Sequence, residues 1–174
     1  SEKETLKRLL DEIKKRHKES EDRVRKLVED AREELDRVAD ELRKSSEDLR
    51  RDLKRANADE ELKKKVEKLN RELEKKLRDL RRRMKEEEEE LRRKLEENKK
   101  ESDERVKRLE KIAKDGDTGS KLLREVEKLM EESRKRNEDL LKELRDIIED
   151  LREKLRELLR EHREAAKRLR DEIR

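Results

Sequence analysis

An all-α fold, a single-chain antiparallel up-down-up three-helix bundle of long, nearly straight helices, follows from two observations. Apolar residues recur at helix spacing in an 18-residue repeat, and turn-forming residues cluster at only two places, which cut the chain into near-equal thirds. Eighteen residues make about five turns at 3.6 residues per turn, so the stripe stays parallel to the helix axis, whereas a heptad stripe drifts and winds left-handedly.

The first helix is predicted over residues 2–56. Ser1 and Glu4 stand in capping-box spacing at its start. Its stripe reads Leu6, Leu10, Ile13, His17 and Ser20, then Val24, Val28, Ala31, Leu35 and Val38, then Leu42, Ser46, Leu49, Leu53 and Ala56. A heptad template started at Leu6 and Leu10 lands instead on Glu34, Glu41, Asp48 and Asp52, four charges where a coiled-coil seam needs apolar side chains. The helix stops at Ala56-Asn57-Ala58-Asp59: Asn tolerates the left-handed conformation that closes a helix, and Asp59 caps the next one.

The second helix, predicted over 60–114, carries Leu62, Val66, Leu69, Leu73 and Leu77, then Leu80, Met84, Leu91 and Leu95. Glu87 or Glu88, in the run Glu86 to Glu90, interrupts its stripe opposite Ala31, with no partner assignable from sequence. The second turn, Asp115-Gly116-Asp117-Thr118-Gly119-Ser120, holds both glycines, with Ser120 as the expected N-cap of a third helix over 121–173. That helix repeats the arithmetic of the first: Val126, Met130, Ser133, Asn137 and Leu140; Leu144, Ile148, Leu151, Leu155 and Leu158; His162, Ala166, Leu169 and Ile173. Each helix has roughly 55 residues and a length of about 80 Å, and the three form a single bundle domain over 1–174.

Charged residues make up 63% of the chain and hydrophobic ones 27%, with no Phe, Trp, Tyr, Pro or Cys. Such hydropathy alone would indicate disorder, but disordered chains lack a sustained apolar period. Apolar runs are too short for a transmembrane helix or a signal peptide, so a soluble protein without membrane contact is expected. Without cysteine there is no disulfide, no thiolate chemistry and no sulfur-based zinc site, and the cellular compartment is not readable.

Three patterns suggest chemistry that their details exclude. The second turn is similar to the opening of a calcium-binding loop, yet its sixth position is Ser120 instead of Gly and its twelfth is Val126 instead of Glu. The two histidines fall about 40 Å apart along parallel helices, so no two-His metal site forms, and a lone His in a continuous core lacks the pocket that catalysis needs. Arg81-Arg82-Arg83 and Lys63-Lys64-Lys65 fan around their helix beside acidic neighbours, with no aromatic for base stacking, so nucleic acid is not an expected partner. No catalytic residue, cofactor or metal is expected, and no partner is required.

The polar interruptions of the stripe fall at two levels. Antiparallel neighbours have residue numbers summing to about 117 across the first turn and about 234 across the second. Those sums bring His17 and Ser20 beside Asn98 and Ser102, and these beside Ser133 and Asn137. They also bring Ser45 and Ser46 beside Asn70, and Asn70 beside His162. A lone buried polar group costs roughly 1–3 kcal/mol, so clustering offsets the cost, and the layers are expected to satisfy themselves internally as buried hydrogen-bond networks.

The straight repeat, the aromatic-free Leu core, the Glu/Lys/Arg surface, the minimal turns and the two aligned polar layers resemble parametrically generated, de novo designed three-helix bundles with modular hydrogen-bond networks. The resemblance covers the whole chain. It implies a hyperstable, non-enzymatic structural scaffold without natural biochemical activity, a synthetic protein of the kind expressed in a bacterial cytoplasm. A pH-responsive designed bundle switched by buried His is one alternative; a natural spectrin-like or coiled-coil spacer, disfavoured by the missing aromatics, is another. A monomer is expected, with homo-oligomerisation as the alternative because polar layers also specify association.

Overall fold

The computed structural model describes residues 1–116 and 119–173. It is an all-α three-helix bundle of α1 (Glu2–Arg55), α2 (Glu60–Lys114) and α3 (Ser120–Ile173). No helix among the described residues is long and apolar enough to cross a membrane.

Local chemistry sets the helix ends. Ser1 Oγ accepts the Glu4 N–H at 3.4 Å while the Glu4 carboxylate lies 3.7 Å from the terminal amine, so the two residues satisfy each other as a capping box does. At the end of α1, Asn57 takes a left-handed φ of 49°. The Ala58 N–H reaches the Leu53 carbonyl and the Asn57 N–H reaches the Lys54 carbonyl, the crossed pair of a Schellman closure. Asp59 Oδ1 then accepts the Leu62 N–H at 2.9 Å and starts α2.

At the end of α2, Gly116 has φ of 93° and donates to the Ala113 carbonyl. A Cβ added there would meet nothing within 4 Å, so Gly116→Ala tests backbone strain alone. It is expected to lower stability by about 1 kcal/mol, seen as a lower denaturant midpoint at unchanged slope. The start of α3 differs from the sequence expectation: Leu123 donates to the Gly119 carbonyl, so Gly119, not Ser120, is the capping residue and Ser120 is already helical. Asp117 and Thr118 of the second turn lie outside the described residues.

The chain divides into two compact units. One contains Ser1–Val28 and Glu87–Asp146; the other contains Glu29–Glu86 and α3 from Ile147 onward. In the first, Leu6, Leu10 and Ile13 of α1 pack with Val106 of α2 and Leu122, Val126 and Leu129 of α3. In the second, Leu49 and Leu53 pack with Leu62, Val66 and Ala166.

The innermost residues depart from the predicted stripe by one position at several places. Ala39 is fully buried where Val38 was expected, Asn70 is buried while Leu69 is half-buried, and Leu129 and Leu141 lie deeper than Met130 and Leu140. Leu80, Leu151, Leu169 and Ile173 are half-buried, and Ala56 is exposed at the helix end. The physical reason is that each helix of a three-helix core faces two neighbours, so two adjacent columns, about 100° apart, share the burial.

Outside the core, ion pairs cross between helices at the antiparallel register. Arg43–Glu74, Arg50–Glu67 and Arg81–Asp36 join α1 to α2 in the second unit, all at a residue-number sum of about 117. Arg105–Glu132 and Arg136–Glu101 join α2 to α3 in the first. Such largely exposed pairs contribute about 0–1 kcal/mol each, so they favour one register more than they add stability.

Candidate functional site: two buried polar layers

The polar residues on the stripe assemble into one connected network in each unit. In the first unit His17 of α1 sits at the centre, 2% exposed. Its Nε2 lies 2.9 Å from Ser133 Oγ on α3, and its Nδ1 lies 3.4 Å from Asn137 Nδ2 on the same helix. An amide nitrogen only donates, so His17 Nδ1 is the acceptor and the ring proton resides on Nε2, directed at Ser133. Ser102 of α2 donates to Ser133 Oγ at 3.3 Å. Asn98 Nδ2, also on α2, donates to Asn137 Oδ1 at 2.6 Å. Proton donation therefore runs in one direction from Asn98 through Asn137 and His17 to Ser133.

In the second unit Ser46 of α1 is the hub. Its Oγ lies 3.5 Å from His162 Nε2 on α3. With its amide oriented to satisfy both ends, Asn70 of α2 donates to Ser46 Oγ at 2.9 Å and accepts from Arg50 Nε at 3.2 Å. Arg50 is itself held by Glu67 at 3.1 Å, so this layer runs from the core out to an ion pair at the surface.

Not every residue expected in the layers joins them. Ser20 is buried but makes no side-chain hydrogen bond among the described residues; it lies beside Asn137 on the wall of an open groove between α1 and α3. Ser45 is half-buried and also stays outside, because it is turned about 100° from Ser46 on the helix. Asn70 reaches His162 only through Ser46. Nor do the layers satisfy themselves completely: Asn98 Oδ1 and His162 Nδ1 are buried without a hydrogen-bond partner.

Burial dominates the titration of both histidines. Desolvation pushes His17 below the usual imidazole value, with the carboxylates of Asp103 and Glu21 pulling it back up and Lys99 pushing it further down. Desolvation also lowers His162, and the Arg170 guanidinium adds to the effect.

A third polar contact belongs to the acidic run. Glu88, not Glu87, occupies the buried stripe position, 6% exposed, and its carboxylate is held by Arg92 at 2.7 Å one turn along α2. The sequence carried this signal, since Met84, Glu88, Leu91 and Leu95 follow helix spacing and Arg92 stands four residues beyond Glu88. The calcium-like reading of the second turn finds Val126, its twelfth position, fully buried in the apolar core. Among the described residues no group of three or more His, Cys, Asp or Glu side chains is arranged to hold a metal ion. No protein-family model matches the chain, and no curated protein or solved structure matches it.

Proposed function

We propose that this chain is a designed structural scaffold in which buried polar layers fix the register of the helices, and that it turns over no substrate. One observation carries the reading. In each unit a His of one outer helix meets a Ser of the other at the same separation of 116 residues, His17 with Ser133 and Ser46 with His162, with the two residue types exchanged between helices. Sliding α3 against α1 by one turn would set His162 against Leu42 or Leu49 and leave Ser46 without its His, and in one of the two directions would also set His17 against Leu129, so the layers penalise a one-turn slip. The direction of the bonds supports a structural role: His17 donates to Ser133 and so cannot accept its proton, which is what activating a serine nucleophile requires.

The test replaces both layers with apolar residues, using His17→Leu, Asn98→Leu, Asn137→Leu, Asn70→Leu and His162→Leu with Ser102→Ala, Ser133→Ala and Ser46→Ala. The parent is expected as one species of chain mass in light scattering, with well-dispersed amide NMR signals. The replaced protein should resist denaturant better yet give mixed masses or multiple signals per residue, because a uniform Leu core accepts several registers. A variant as uniquely folded as the parent would overturn the register-setting role. A second reading, a bundle released by acid, is favoured by the depressed titration of both histidines.

A further inference from the structure

Ala31 leaves a gap in the core of the second unit. At its level α2 presents Leu80 and Met84, and α3 presents Ile148, Leu151 and Leu155. The small methyl does not reach across to these side chains, and Ala31 and Met84 keep 9% and 8% of their surface exposed. The pocket they line has a volume of 20 Å³ and is open on one side.

That volume exceeds about one water-sized sphere, so a single small guest fits and an aromatic ring does not. A water molecule would need two to four polar partners. The only polar side chains on the wall are Glu34 and Arg152, and these bond to each other, Arg152 Nε donating to Glu34 Oε2 at 2.7 Å. Polar partners for water therefore lie on one side of the pocket only, whereas an apolar atom would regain the dispersion contacts that the apolar lining forfeits. The ion pair is also the way in: both side chains are partly exposed, and pairs of that kind open at little cost.

We propose that this pocket is a binding site for one small apolar guest, a xenon atom or a one-carbon hydrocarbon, admitted beside the Arg152–Glu34 pair. The test is a xenon titration of the full chain with methyl-labelled side chains, followed by carbon-13 NMR. The methyl signals of Ala31, Leu80, Met84 and Ile148 should shift and saturate with xenon pressure, while that of exposed Ile112 moves little and linearly. Benzene should leave the same methyls unmoved. Ala31→Ile should abolish the saturable shift and raise the denaturant midpoint by filling the space, and Ala31→Val should weaken the shift partway. Uniform linear shifts across all methyls, or a saturable response that survives Ala31→Ile, would overturn the site; an equal response to benzene would overturn its size.

Discussion

Asn137→Ala is expected to lower the stability of the folded chain by about 2–5 kcal/mol, because it orphans two buried groups at once. Asn98 Nδ2 loses its acceptor at 2.6 Å, and since Asn98 Oδ1 already lacks a partner, the whole amide would be buried with no hydrogen bond. His17 Nδ1 loses its hydrogen-bond donor. Asn98→Leu is expected to cost clearly less, since it removes an amide whose oxygen is unsatisfied from the outset and orphans only Asn137 Oδ1. Guanidinium denaturation of the two single variants and the double variant, analysed as a cycle, would give a coupling of at least about 0.5 kcal/mol. Equal costs for the two single changes, or no coupling, would mean that water repairs the layer and the directed chain of bonds does not hold.

The features that were readable in advance are those that depend on local chemistry or on counting. Asn57 and Asp59 announce a helix end and a helix start because left-handed tolerance and a short acceptor side chain are properties of those residues alone. The pairing of His17 with Ser133, and of Ser46 with Asn70, needs only antiparallel or parallel arithmetic at 1.5 Å per residue, which stays accurate over many turns once the turns are located.

What escaped the sequence lies below the resolution of that arithmetic. Whether Val38 or Ala39 points inward, or Ser45 or Ser46, is decided by a rotation that two packing neighbours share, and hydropathy cannot settle a choice between two small or two apolar side chains. The unpaired Asn98 Oδ1 and His162 Nδ1 are matters of ångström-scale side-chain placement. The Arg50 contact to Asn70 was hidden for a different reason: Arg50 reads as a solvated surface cation with Glu67 as its partner, and nothing in its spacing shows that the same guanidinium also satisfies a buried amide.

Acid should weaken this protein before its carboxylates titrate. Both histidines are pushed below the ordinary imidazole value of about 6.5, chiefly by desolvation, so the unfolded chain takes up their protons at a higher pH than the folded one. Their contribution is therefore complete above about pH 6.5 and is lost as pH falls toward the folded-state values, with a slope of at most about 1.4 kcal/mol per pH unit for each His. The two layers should not respond alike. A proton added to His17 Nδ1 faces the Asn137 amide nitrogen, a donor against a donor, but turning Asn137 and then Asn98 relieves this and gives the idle Asn98 Oδ1 a partner. Protonated His162 carries an Nδ1–H with no acceptor, and the Arg170 charge opposes the added proton. Denaturant midpoints compared at about pH 7.5 and about pH 5 should differ, and His162→Gln should remove more of that difference than His17→Gln. Identical midpoints at the two pH values would show that both rings accept protons in place, and would leave the acid-released reading without support.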